Sequence, residues 1–124
     1  MKFTTYFRGA QTRLGVVNSD EVVDLNAAQN QVPADLRQAL LAKVDLAAVA
    51  KAALASDAPR LRLRDLQLAP LVPEPGKTIC LGLNYFDHAK EGGREKPDYP
   101  WFFFRGASSL IGEGAIGRVP KVST

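Results

Sequence analysis

The 124-residue sequence has one cysteine, one histidine, one methionine and one tryptophan. A lone Cys80 cannot close an internal disulfide, which fits a reducing compartment, so the cytoplasm is the expected location. One His and one distant Cys do not make a tetrahedral zinc set. No G-x-S-x-G elbow is present, and Cys80 lies inside an apolar run, where it reads as a small buried hydrophobe. No stretch approaches the roughly 20 apolar residues of a membrane span. Met1–Arg8 alternates polar and apolar residues and contains no apolar leader core. The net charge is +3, from 16 basic and 13 acidic residues. The basic residues are spread along the chain, without the clustered footprint that nucleic acid requires. Neither a nucleic acid nor a membrane is expected as a partner.

What is present suits a globular chain: 46% hydrophobic and 23% charged residues argue against disorder. The length fits one ordinary domain, or a small domain plus part of another. Met1–Arg8, Leu14–Val17 and Val22–Leu25 read as three strands, with turns at Gly9 and Asn18-Ser19-Asp20. Pro33 is placed to open a helix continuing through Leu36, Ala39 and Leu40. Asp45 can cap a second helix, whose apolar stripe Leu46, Val49, Ala50, Ala53 and Leu54 suits packing on the sheet. Arg60–Arg64 alternates leucine with arginine as a strand. Its arginines could serve an anion or simply form a solvated face. Leu66 and Leu68 have the opposite parity, so a bend is expected near Asp65. Pro70, Pro73, Pro75 and Gly76 form an extended connector.

Beyond the connector lies Lys77–Glu91, where Ile79–Leu83 reads as a buried strand. Asn84 then suits a helix N-cap, with Asp87 where a capping-box acid would sit. Gly92-Gly93 is a C-terminal stop. On so short a helix His88 and Glu91, three apart, share a face and can touch. A carboxylate against an imidazole orients a general base. A surface histidine is the other reading of the same residues. Trp101–Phe104 reads as a second buried strand with Arg105 at its end. Gly112-Glu113-Gly114-Ala115-Ile116-Gly117 matches G-x-G-x-x-G, but Pro120 follows too closely for the helix that a dinucleotide needs. It is read as a turn.

Gly82-Leu83-Asn84-Tyr85-x-Asp87-His88-Ala89-x-Glu91 resembles the signature of the fumarylacetoacetate hydrolase family. The likeness continues through Pro97-x-x-Pro100, Phe102–Arg105, Ser108-Ser109-Leu110 and Pro120–Ser123, covering roughly Leu66 to Thr124. The resemblance implies an α+β chain: a small sheet-plus-helix domain over 1–70, a Pro-rich linker over 71–76, and the opening part of a β-rich, mixed β-sandwich-roll catalytic domain over 77–124. It implies a metal-dependent hydrolase or lyase in which His88 is the base and Glu91 its partner. In that reading an activated water cleaves a C–C bond of a small 1,3-dicarbonyl or acylpyruvate-like oxo acid; some relatives decarboxylate or isomerise instead. Tyr85 and Arg105 are the implied substrate-binding residues. A strand-end ion pair is the alternative for Arg105, which stands where many relatives have lysine.

The resemblance also implies Mg²⁺ or Mn²⁺, or Ca²⁺, and a homodimer for the complete enzyme. The acidic strand that holds the metal would start just after Ser123, so the metal ligands are expected beyond Thr124 and none within this chain. Asp87, Glu91, Glu95, Asp98 and Glu113 have spacings that do not form one strand face, whereas a hard cation needs several converging oxygens. The sequence therefore reads as the N-terminal portion of such an enzyme. The alternative is a non-catalytic module that works with a complementary chain. Severed strands and the Trp101–Phe104 run predict that the isolated chain self-associates or folds poorly.

Overall fold

A computed structural model describes residues 1–95 and 97–122. Its elements are mixed α+β, and the contacts group them into two compact units: Met1–Glu74 with the described residues from Leu110 on, and Pro75–Ser109. The segment from Leu110 thus groups with the first unit. Ser123, the last residue of the Pro120–Ser123 block, lies outside the described residues.

In the first unit Lys2–Arg8 (β1), Gln11–Asn18 (β2), Glu21–Asp24 (β3) and Arg60–Arg62 (β4) make an antiparallel four-stranded sheet in the order β1-β2-β3-β4. Gly9 and Ser19 supply the positive φ, 63° and 57°, that two-residue hairpins want at their first turn position. After β4 a 3-10 turn over Leu63–Asp65 produces the bend expected near Asp65. The chain then pairs along the free edge of β1. Phe7 donates to the Gln67 carbonyl, Ala69 donates to that of Thr5, and the buried Thr5 hydroxyl donates to Leu71 at 2.8 Å. This covers an edge that would otherwise be open for pairing.

Three short helices pack on one face: Leu25–Ala28 (α1), Leu36–Leu41 (α2) and Leu46–Leu54 (α3). Leu14, Val16 and Val23 meet Leu25, Ala39, Ala50 and Ala53 in the core. Each helix is capped by an aspartate that accepts from the backbone three residues on: Asp24 from Ala27, Asp35 from Gln38 and Asp45 from Ala48. The capping explains two departures. The second helix starts at Leu36 under Asp35 rather than at Pro33, and the third strand ends at Asp24 because Asp24 caps α1.

Asp24 also carries the unit's buried charge. Fully buried, it receives Arg13 Nη2 at 3.0 and 2.9 Å and Nε at 3.2 Å. Tyr6, which pairs with Arg13 across β1–β2, is buried beside them, and its hydroxyl makes no well-formed hydrogen bond. Burial, reinforced by the Asp24 carboxylate, pushes the Tyr6 hydroxyl well above its ordinary value.

The G-x-G-x-x-G segment is a turn, with the Ala115 amide donating to the Gly112 carbonyl. Gly112 lies so close to the chain that a Cβ there would overlap the Leu68 carbonyl, so packing requires the glycine.

Asp24→Asn keeps a capping oxygen but removes the charge facing Arg13. Breaking a buried pair costs about 3–5 kcal/mol, and Arg13, partly open to water, sets the loss at the lower end. Urea denaturation is expected to show about 3 kcal/mol; a loss below about 1 kcal/mol would contradict this role. Because the folded Tyr6 holds its proton more tightly than the unfolded chain, its contribution is complete below about pH 10 and is lost as pH rises further. Tyr6→Phe should therefore lose less stability than wild type above that pH. Superimposable alkaline profiles would refute the assignment.

Candidate active site

The second unit consists of Thr78–Gly82 (β5) and Trp101–Arg105 (β6), paired antiparallel, with the helix Phe86–Glu91 (α4) between them. The strands form where the apolar runs predicted them, but they are not buried. Ile79 is 56% exposed, Phe102 66% and Phe104 71%. A two-stranded ribbon has two faces, and among the described residues of this unit no layer covers them. Cys80 is half-buried.

Gly82 is followed by Leu83 with φ of 50°, a left-handed conformation that costs a non-glycine residue roughly 1–2 kcal/mol. This reversal delays the helix by one residue. Tyr85 becomes the N-cap, without a side-chain hydrogen bond, and the expected cap Asn84 falls outside the helix. Asp87 is in the first turn, where its charge suits the helix dipole. The expected stop at Gly92-Gly93 forms in full. Gly93 has φ of 64°, its amide donates to Lys90, and the Arg94 amide donates to Ala89. These two bonds are the Schellman closure of a helix end.

His88 and Glu91 stand on α4, both exposed, and no hydrogen bond or ion pair joins them. Tyr85 is exposed at the start of the helix. The end of β5, α4 and the following loop enclose a concavity of ≈ 340 Å³, to which Leu83, Asn84, Phe86, Ala89, Asp98 and Tyr99 contribute. Arg105 is elsewhere. Gly82 pairs with Trp101 at the helix end of the ribbon, whereas Thr78 pairs with Arg105 at the other end. Four residues of strand put Arg105 about 13 Å along the ribbon from Trp101. Thus α4 brings His88, Glu91 and Tyr85 into one short segment, and the ribbon carries Arg105 away from it. Ser109 donates to the Gly106 carbonyl at 2.8 Å, a local backbone role.

Among the described residues no three His, Cys, Asp or Glu side chains converge. Asp98 is the one carboxylate lining the concavity. These residues therefore do not fit a hard divalent cation.

The sequence holds no sign of the left-handed Leu83, since leucine carries no preference for that conformation. It also holds no sign that Arg94 lies over the Trp101 ring, 5.7 Å from its centroid. The Gly92-Gly93 stop could have located Arg94, because a Schellman closure fixes the residue after its glycine.

No protein-family model matches the chain. The chain is 33% identical over 113 residues to "Oxaloacetate tautomerase fahd2, mitochondrial" of Xenopus laevis, covering 90% of this chain and 35% of that protein. It is 33% identical over 104 residues to "Fumarylacetoacetate hydrolase domain-containing protein 2" of Pongo abelii, covering 84% of this chain and 33% of that protein. A crystal structure of a protein described as HpcE, from Mycobacterium smegmatis, superposes with a TM-score of 0.72 at 26% identity, over 97% of this chain and 41% of that one. The chain belongs to the fumarylacetoacetate hydrolase family. It spans about a third of the length of the curated relatives it matches. Its α+β architecture agrees with part of the fold of that family, of which the Xenopus laevis relative is named as an enzyme. No helix among the described residues is long and apolar enough to cross a membrane.

Proposed function

We propose that the whole protein is an enzyme acting on a small oxo acid, and that this chain supplies its proton-transfer pair. His88 is the acid–base residue and Glu91 the carboxylate that orients it. The observation that carries this reading is α4: the family motif forms a helix on which His88 and Glu91, three residues apart, share a face, while Phe86 and Ala89 of the same helix line the concavity. Histidine is the side chain suited to exchanging protons near neutral pH. The apo separation of the pair is no obstacle, since catalytic hydrogen bonds often tighten only on substrate.

Relatives named oxaloacetate tautomerase favour tautomerisation of oxaloacetate as the reaction to test first. In that reaction the imidazole takes a proton from the carbon beside the ketone. The C–H electron pair becomes the C=C bond, and the carbonyl oxygen gains a proton to give the enol. The reverse passage returns the proton to carbon. C–C hydrolysis of an acylpyruvate-like substrate is the second reading: the same imidazole takes a proton from water, whose oxygen attacks the carbonyl, the adduct breaks its C–C bond to release the adjacent carbon as an enolate, and that carbon takes the proton back from the imidazolium. The family resemblance favours it. In both, Tyr85 is the nearer substrate-binding candidate, and Arg105 would reach substrate only from the opposite end of the ribbon. The divalent cation implied by the family would be held by protein outside these 124 residues. A homodimer and a cytoplasmic location belong to the same proposal, the latter on the lone Cys80.

Steady-state enol–keto conversion of oxaloacetate by the full-length protein tests the reading. His88→Gln should lower kcat by about 10²–10⁴-fold, the usual worth of general acid–base catalysis. Glu91→Gln, which removes only the orienting charge, should lower it less. A His88→Gln enzyme within a few-fold of wild type would overturn the assignment.

A further inference from the structure

Little holds α4 against the ribbon. Of its six residues only Ala89 is buried, and its N-cap residue Tyr85 makes no side-chain capping bond. Among the described residues of Pro75–Ser109 the one side-chain hydrogen bond is Ser109 to Gly106, away from the helix, and no ion pair occurs. The N-terminal end of α4 is tethered covalently through Leu83. Its C-terminal end is tethered by Arg94, whose amide closes the helix on Ala89 and whose guanidinium lies over Trp101 at 5.7 Å. Trp101 is in turn fixed to β5 by its pairing with Gly82.

We propose that Arg94 and Trp101 form a cation–π clamp that positions α4, and through it His88 and Glu91, against the β5–β6 ribbon. Both are positioning residues. The contact lies one turn beyond Glu91, at the point where a helix hinged at Leu83 would swing most. Glu95 and Asp98 line with Arg94 a second concavity, distinct from the one at the end of β5, but are not within ion-pair distance of it, so the ring is its observed side-chain partner. The carboxylates also make this concavity a poor one for a substrate anion, which argues against Arg94 as a substrate clamp. Arginine suits the role because its flat guanidinium stacks on an aromatic face while its edge stays hydrated.

The inference rests on the assignment of His88 and Glu91, and the test keeps the two apart. In the full-length protein, hydrogen exchange of the amides in α4 and at Arg94 should rise about two- to fivefold in Arg94→Ala, the population change a cation–π contact carries at an exposed site. Arg94→Lys, which keeps a cation over the ring, should restore protection, and Trp101→Leu should reproduce the loss. With oxaloacetate as substrate, kcat should fall in Arg94→Ala, by no more than the factor by which exchange rises, while KM is unchanged. Unchanged exchange would overturn the clamp. So would a raised KM with kcat intact, because it would make Arg94 a substrate contact. If His88→Gln abolishes activity while Arg94→Ala leaves exchange and kcat as in wild type, the clamp alone fails. If His88→Gln is fully active, the site assignment fails, and the exchange data still decide the clamp.

Discussion

The first unit depends on one buried carboxylate. Asp24 ends β3, starts α1 and neutralises Arg13 from β2, so one side chain serves a strand, a helix cap and an ion pair. A buried charge is tolerated only when its lone pairs are filled, and here the guanidinium fork and the Ala27 amide fill them. The sharp turn from sheet to helix brings Asn26 inward. Asn26 accepts from Leu14 at 2.8 Å and donates to Val32 at 2.7 Å, joining the connection between α1 and α2 to the sheet. The core residues Leu14, Val23 and Leu25 are neighbours of these polar anchors, so hydrophobic packing and polar satisfaction specify the same geometry.

The second unit is built on the opposite principle. It has almost no buried polar contact, its strands expose their apolar side chains, and its helix is six residues long. Its geometry comes from backbone devices: a left-handed residue at the entry to α4, a Schellman closure at its exit, and one stacked guanidinium. Weak fixation of this kind is the usual setting for residues that must reorganise around a substrate. It also accounts for how His88 and Glu91 can share a helix face yet remain unbonded.

Much of this was legible from residues. Turn glycines, aspartate caps and the Gly92-Gly93 stop act locally, and the structure follows them at Gly9, Asp45 and Gly93. The motif from Gly82 to Glu91 identified the family because its chemistry-bearing residues are contiguous. What failed depended on longer range or on rare backbone states. The apolar runs at Ile79–Leu83 and Trp101–Phe104 encode a preference for cover, but the covering layer must come from other residues. The cap is Tyr85 and not Asn84, because the conformation of Leu83 moves it by one position. The motif places Arg105 in sequence only, and strand register decides which end of the ribbon it occupies.

The central claim is that this chain contributes the proton-transferring pair of an oxo-acid enzyme, with the cation that would polarise the carbonyl held elsewhere. The most direct measurement is the exchange of the carbon-bound protons of oxaloacetate with D₂O, followed by NMR with the full-length protein. Wild type should accelerate the exchange, and His88→Gln should reduce it to nearly the uncatalysed rate. Undiminished exchange in His88→Gln would contradict the account.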